Sequence, residues 1–407
     1  MVKRNHVIAV FVCVVILMTS VCVSACALTG PMFRKQSEQV TISREEYENL
    51  LKYQKLDTLL EYSQMLYYED VDAEKMLEQA AYGLIYGLED VYSTYLSKED
   101  MEAFNEEVEG EFAGIGCLLL ADSTDKMITV TRVFKNSPAE KAGLRAGDKI
   151  VYVNDVYYTA YEMSDAVDVM RGTPGESVKV TVLRDLETID FDIVREIVNI
   201  NYCEYEILEG NIGYVIVYDF MGDAIEGFKE AIEAFKVANV KGMILDLRNN
   251  SGGLLEQSVE LADLILPEGP VVSVKSKYDD EEEFSIDNEY YDVPLVLLVN
   301  GLSASASEIV AGAIRDSGEG TIVGTKTFGK GVVQSIFPLP DGSALKITSA
   351  RYYTPSGECI HEVGIQPHVE VELDENAVTR YGINNLPHEE DAQLQKAVEL
   401  IESGAVS

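Results

Sequence analysis

Leu295-Val296-Leu297-Leu298-Val299-Asn300-Gly301-Leu302-Ser303-Ala304-Ser305-Ala306-Ser307-Glu308 is the stretch on which the fold turns. Its first five residues are continuously apolar, which reads as a strand buried on both faces. Helical patterning runs from Ala306 to Arg315. Between them lies a strand-to-helix turn built of small residues, which let another chain approach the backbone closely. A helix start offers unpaired N–H groups and the positive end of a dipole. A serine there has an outward hydroxyl and an oxyanion-stabilising N–H beside it, the pairing that acyl transfer needs. Taken alone, the fragment is equally served by a plain helix cap, with Ser303 or Ser305 bonding backbone N–H groups, and caps are the commoner use of serine at such a place.

The surroundings repeat the strand–helix alternation from about residue 200. Ile212–Val217 reads as a strand, Ala224–Val237 as a helix, Met243–Leu247 as a strand and Leu254–Leu264 as a helix. Buried apolar strands between helices predict a sheet covered on both faces. Asp341-Gly342, between Phe337-Pro338-Leu339 and Ala344–Ile347, signals a hairpin. Glu389–Glu402 reads as an amphipathic helix (Leu394, Ala397, Leu400, Ile401).

Upstream, the texture differs. Short β-rich runs at Cys117–Leu120, Ile128–Val133, Lys149–Val153 and Ser177–Leu183 are interrupted by helical pieces at Pro138–Ala142 and Met163–Met170. That is a compact module of short strands and two helices. Residues 40–108 read as helical, with Leu50, Leu51, Leu59, Leu60, Met65 and Leu66 near a 3.6-residue period, and Met76–Leu88 repeating the pattern. The boundaries drawn are 1–29 for a targeting segment, 40–108 for a helical region, 110–196 for the β-rich module, 197–374 for the α/β core and 375–407 for a C-terminal helical segment.

At the N-terminus, Lys3 and Arg4 precede an apolar run from Val7 to Val23. This is a secretory signal or an uncleaved anchor, and the run is near the ~20 residues a spanning helix needs. Val23-Ser24-Ala25-Cys26 also resembles a bacterial lipobox, in which Cys26 would be lipidated. Each alternative puts the bulk of the chain outside the cytoplasm. The 407 residues carry 32 Lys+Arg against 70 Asp+Glu, a formal charge of −38. Such a surface repels phosphate backbones and excludes nucleic acid as a partner class. Solubility is the plain reading of the acidity, and the run Asp279–Glu283 is most simply a solvated loop. Three of the six cysteines lie in the targeting segment; Cys117, Cys203 and Cys359 are isolated, without the spacing of a disulfide framework or a zinc site.

A serine nucleophile needs a base. The chain has four histidines, His6, His361, His368 and His388, none in a pattern that signals a Ser-His-Asp triad. A lysine whose pKa is lowered by burial is the alternative. Phe328-Gly329-Lys330-Gly331-Val332-Val333-Gln334 offers Lys330 between two glycines and apolar residues, with no acid in the run. An exposed turn lysine is the ordinary explanation of such a residue. Gln334, four residues on, is placed to orient it. The glycines of Leu245-Asp246-Leu247-Arg248-Asn249-Asn250-Ser251-Gly252-Gly253 let backbone N–H groups turn into a pocket, so Gly252 is a candidate second oxyanion donor. The loop lacks the GK[ST] ending of a nucleotide site.

Together, Gly242–Gly253, Asn300–Gly312 and Val323–Gln334 resemble the C-terminal processing peptidases, or tail-specific proteases, supported by Asp341-Gly342-Ser343-Ala344-Leu345 and Tyr353-Thr354-Pro355-Ser356-Gly357. The similarity spans about residues 90–400. It implies an extracytoplasmic serine endopeptidase with Ser305 as nucleophile, Lys330 as base, Gln334 beside it, and the N–H groups of Ala306 and Gly252 as the oxyanion hole. It also implies an α+β and α/β multidomain chain: helical arm, PDZ-like module, crotonase/ClpP-like protease core and C-terminal helix. The β-rich module is similar to a PDZ domain, whose carboxylate-binding loop would be Phe112-Ala113-Gly114-Ile115-Gly116. Ser137-Pro138-Ala139, Ala142-Gly143-Leu144 and Gly147-Asp148 match that domain's turns. In the family this module recruits substrate tails and gates the site. The chain departs from the family pattern at Asn249-Asn250-Ser251 before the glycine pair, at His368 and at Val91.

No metal or organic cofactor is implied. The implied partners are protein substrates with free C-terminal tails; self-association through the terminal helices and a regulatory partner are further expectations. Two rival functions use the same features: a non-catalytic PDZ protein that binds tails, and a crotonase-like acyl transferase with similar strand-to-helix oxyanion logic. The intact Ser305-Lys330-Gln334 set speaks against the first, and the PDZ-like module and targeting segment against a coenzyme-A substrate.

Overall fold

The computed structural model describes residues 41–406 apart from 123, 124, 279 and 288. The targeting segment, Cys26 and the first residue of the run Asp279–Glu283 therefore lie outside the described residues. The chain divides into two compact units, one up to Leu77 and one from Glu78 to Ser407. The division falls inside the region 40–108 that the sequence presented as one helical part.

In the first unit, helix Arg44–Leu66 starts at a capping box. Ser43 Oγ accepts the N–H of Glu46 at 3.1 Å and Glu46 Oε2 accepts that of Ser43 at 2.6 Å. None of its residues is buried, and Leu50, Leu51, Leu59 and Met65 are exposed. A second helix, Ala73–Tyr86, begins in this unit. A strand that the sequence pattern hid, Thr94–Leu96, interrupts the expected helical stretch before helix Lys98–Glu109. It pairs with Ala344–Lys346, a partner some 250 residues away that no local pattern could announce.

The β-rich module forms a sheet in the order Cys117–Ala121, Ile128–Val133, Lys149–Val153, Ser177–Arg184, Glu187–Val194, with Val156–Tyr157 beside the third strand. Its core contains Ile128, Val130, Ile150, Val180, Val182 and Met170. Glu111–Gly114 pairs antiparallel with Glu196–Asn199, so the chain enters and leaves the module side by side.

The central sheet has six strands, ordered Cys203–Leu208, Ile212–Val217, Met243–Asp246, Leu295–Val299, Thr321–Gly324, Val369–Glu370. All neighbours are parallel except the first pair. Side chains alternate between faces along each strand. Leu295, Leu297 and Val299 join one cluster with Phe228, Phe235, Leu261, Ile309 and Val310 from three helices. Val296 and Leu298 join the other, against Leu394, Ala397 and Leu400. The apolar strand is covered on both sides, as its composition requires. The C-terminal helix runs Ala392–Ser403, three residues later than the pattern suggested, because Asp391 caps it by accepting the N–H groups of Gln393 and Leu394.

A five-stranded antiparallel sheet completes the unit. Ala344–Tyr353 pairs with Val332–Pro338 across the Asp341-Gly342 turn, and also with Thr94–Leu96 and Gly269–Ser276. Glu281–Ile286 pairs with Gly269–Ser276, so Glu281–Glu283 of the acidic run belong to an edge strand rather than a loop, with Glu281 facing Lys275 at 3.2 Å. Ser305 follows the carboxyl end of a central strand, where open α/β sheets form their crevices. Lys330 lies two residues before Val332, where the first strand of the hairpin begins.

Candidate active site

The turn after Val299 is tied to the loop after Asp246. Asn300 Oδ1 accepts the N–H of Asn249 at 3.0 Å, and Asn300 Nδ2 donates to Asn249 Oδ1 at 2.8 Å. Ser303 Oγ donates to the Leu247 carbonyl at 2.7 Å and accepts from Asn300 N at 2.9 Å. Ser307 Oγ donates to the Asn250 carbonyl at 3.0 Å. Two of the three serines thus spend their hydroxyls holding the loops together.

Ser305 is used differently. Its φ and ψ are 54° and −115°, a left-handed conformation that is strained for a residue with a Cβ and is typical of functional turns. The N–H of Glu308 bonds the Ser305 carbonyl at 2.8 Å. Glu308 reaches back. Its buried carboxylate accepts Ser305 N at 3.0 Å, Lys330 N at 2.8 Å, Gly329 N at 2.7 Å and Thr327 Oγ1 at 2.6 Å. Burial pushes this carboxyl up, and the four donors pull it back.

Through Glu308 the structure brings the Ser305 turn and the Lys330 loop together. Burial lowers the pKa of the half-buried Lys330; Lys346 lowers it further and Glu308 opposes. Its Nζ lies 5.2 Å from the Tyr92 ring centroid, and among the described residues no carboxylate pairs with it. The flanking glycines answer to close packing. A Cβ on Gly331 would sit 2.5 Å from His361 N, and one on Gly329 3.1 Å from Gly364 N.

The remaining expected residues divide. Ala306, 1% exposed, has a backbone N–H with no partner among the described residues. Gly252 packs directly under it: a Cβ there would be 2.7 Å from Ser305 Cβ and 3.1 Å from Ala306 N. Its N–H, however, donates to Asn250 Oδ1 at 2.9 Å, so the structure commits that donor elsewhere. Gln334 does not reach the lysine. A bulge between Val333 and Gln334 turns its amide toward Thr348 Oγ1 at 3.5 Å and the Val332 carbonyl at 3.4 Å. His368 Nδ1 accepts Ile322 N at 3.0 Å and His388 faces Glu206 at 3.3 Å, so both are occupied structurally. Cys117, Cys203 and Cys359 are free, and burial pushes the first two thiols up to about 12.

The predicted carboxylate loop lies at the wall of a cavity of about 880 Å³ that includes Phe112, Ile115, Gly116, Leu118, Met163 and Arg171. Ala113 and Gly114 belong to the strand paired with Glu196–Asn199 and do not line it. Arg171 lies 5.4 Å from the Phe112 ring and bonds Glu106 at 2.5 Å.

Sequence reasoning missed Glu308 and Tyr352. Glu308 carried a signal, because Ser-x-x-Glu before an apolar run is a capping signature. Tyr352, whose hydroxyl donates to the Lys330 carbonyl, carried none.

Residues 211–371 match the profile of peptidase family S41, and residues 129–184 match a PDZ domain. The chain is 35% identical over 333 residues to the carboxy-terminal processing protease CtpA of Bacillus subtilis, covering 81% of this chain and 71% of that protein. It is 35% identical over 334 residues to a probable CtpA-like serine protease of Staphylococcus epidermidis, covering 81% of this chain and 67% of that one. Among solved structures it is similar to the photosystem II D1 C-terminal processing protease, with a TM-score of 0.51 and 28% identity over 85% of this chain and 99% of that one. A putative S41 protease from Bacteroides fragilis shares the fold, with a TM-score of 0.56. The chain belongs to peptidase family S41, the carboxy-terminal processing serine proteases, and carries a PDZ domain.

Proposed function

We propose that this protein cleaves protein substrates near their C-termini outside the cytoplasm, with Ser305 as nucleophile and Lys330 as general base. One observation carries the assignment. Of the three serines in the turn, Ser303 and Ser307 have spent hydroxyls, and Ser305 is strained and anchored to the Lys330 loop by the shared Glu308 carboxylate.

The chemistry follows from the groups present. Burial favours the neutral amine of Lys330, which accepts the proton of Ser305 Oγ on its flexible stem. The alkoxide adds to a backbone carbonyl, and the oxyanion meets the unspent N–H of Ala306. The protonated Lys330 returns its proton to the leaving amine. A water, deprotonated by the same lysine, then hydrolyses the acyl-enzyme. Gly252 shapes the floor under Ser305, and Gln334 acts on the register of the hairpin rather than on the ammonium.

The PDZ cavity would take the free tail of a substrate, its carboxylate on backbone N–H groups at Ile115 and Gly116, the end of the 112–116 segment beyond the strand. Lys3, Arg4 and the apolar run from Val7 support export; no described helix is long and apolar enough to cross a membrane. The exposed apolar residues of helix Arg44–Leu66 support self-association. The test is a pair of unfolded reporters, one ending in a free carboxylate and one in an amide. Faster cutting of the free tail, absent in Ser305→Ala, is expected. Cutting by Ser305→Ala would remove the nucleophile assignment, and binding of tails without turnover would favour the non-catalytic reading.

A further inference from the structure

The Ser305 turn and the Lys330 loop have a neighbour in common besides Glu308. Tyr352 lies in strand Ala344–Tyr353 and is 2% exposed, with Val274 beside it in register. Its N–H donates to the Gly331 carbonyl at 3.2 Å and its hydroxyl donates to the Lys330 carbonyl. One residue thus holds two successive carbonyls of the loop that carries the base. The ladder does not require the second of these bonds. Regular hairpin pairing ends at Val332 with Arg351, which would leave the Lys330 carbonyl without a partner.

The Ser305 side chain lies near the same hydroxyl. With its one proton committed to the Lys330 carbonyl, the phenol oxygen presents only lone pairs to Ser305. Burial keeps the phenol protonated well above its ordinary value, so it remains a donor throughout the working pH range.

The geometry points to Tyr352 as a positioning residue for acyl transfer: its N–H and hydroxyl hold the backbone of the Lys330 loop beside the nucleophile's turn and fix the spacing between Ser305 Oγ and Lys330. The inference rests on the Ser305–Lys330 assignment. In the acylation step the proton passes from Ser305 Oγ to Lys330 Nζ as the Oγ–carbon bond forms, and the Tyr352 proton stays where it is. Tyr352 is not a base. It acts by holding two reacting groups in line, and misplacement on the ångström scale lowers rates by about 100-fold.

The test uses full-length protein and two readouts. A small fluorophosphonate reports the reactivity of Ser305 without the PDZ cavity or a tail, and a tail-bearing reporter gives kcat and KM. Tyr352→Phe keeps the ring and deletes the hydroxyl. Labelling rate and kcat are expected to fall together by at least about tenfold with KM within about twofold of wild type, the pattern of lost alignment rather than lost binding. Replacing Tyr352 with 4-aminophenylalanine restores an N–H donor at the same place and is expected to recover most of both rates. Tyr352→Phe at wild-type rates, or a loss confined to KM, overturns the proposal. If Tyr352→Phe does not fold, the 4-aminophenylalanine protein decides: labelling near wild type supports the proposal, and labelling as slow as Lys330→Ala overturns it. Lys330→Ala in parallel separates the two claims. Silent Lys330→Ala beside normal Tyr352→Phe sinks only the tyrosine, whereas Lys330→Ala labelling at the wild-type rate sinks the base assignment and this inference with it.

Discussion

Glu308 Oε2 accepts the backbone N–H of Lys330 at 2.8 Å, and the same atom accepts that of Ser305 at 3.0 Å. The other oxygen holds Gly329 N and Thr327 Oγ1. The carboxylate is surrounded by donors only, and an amide cannot satisfy four donors because half of it is itself a donor. Glu308→Gln is therefore expected to turn an N–H₂ onto backbone N–H groups, to lower stability by about 3 kcal/mol and to lower kcat by about 100-fold. Chemical denaturation and peptidase assays check both. Unchanged stability would mean that the carboxylate does not hold the two loops.

Lys346 is the second cause of the lowered Lys330 pKa, after burial. Removing a like charge raises the pKa of the remaining amine. Lys346→Gln is expected to move the acid limb of the kcat/KM profile to higher pH and to slow cleavage at neutral pH, where less of Lys330 is neutral. An acid limb that moves to lower pH would contradict the assignment of that limb to Lys330.

Gly252 has φ of +118° and lies against Ser305. Gly252→Ala meets Ser305 Cβ at 2.7 Å and the Ala304 carbonyl at 3.0 Å, neither of which is a flexible side-chain end. The variant is expected to lose activity by about 100-fold while tail binding to the PDZ cavity is kept, since the displacement is local to the Ser305 turn. Calorimetric binding of a tail peptide beside a cleavage assay separates the two.

Asp219 accepts a hydrogen bond from Ser251 Oγ at 3.1 Å, and burial pushes its pKa up from 3.8 to about 7. A carboxyl with a raised folded-state pKa binds its proton more tightly in the native state than in the unfolded chain. Stability is then lost as pH rises from about 4 to 7, and the loss is complete above 7. Asp219→Asn removes this dependence. It is expected to be more stable than wild type at pH 8, on the order of 2 to 4 kcal/mol, with the advantage gone at pH 4. Urea midpoints at the two values test it.

The central sheet was readable because burial on both faces writes itself into composition: Leu295–Val299 can be little else than an interior strand. Ser305 and Lys330 entered as candidates through local signals, a small-residue turn and a lysine between glycines, but those signals alone fit a helix cap and a turn lysine, and the proposed roles came from the family resemblance. Contacts between distant segments left no such mark. Thr94–Leu96 is strand only because Ala344–Lys346 lies beside it. Arg248 is buried because Asp246 and Asp391, 143 residues further on, both pair with it at 2.6 and 2.8 Å, which turns an apparent surface residue into the pin of the glycine loop. The Gly252 donor and the Gln334 amide were assigned by residue type and spacing. Their actual partners, Asn250 and Thr348, depend on a loop rotation and a bulge that spacing does not encode.

The most direct test of Ser305 as a nucleophile activated by Lys330 is mass-spectrometric localisation of a fluorophosphonate adduct on the full-length protein, with Lys330→Ala beside wild type. The account predicts one adduct, on the peptide that contains Ser303, Ser305 and Ser307, fragmenting to Ser305 and absent in Lys330→Ala. An adduct on Ser303 or Ser307, or one formed equally well without Lys330, would contradict it.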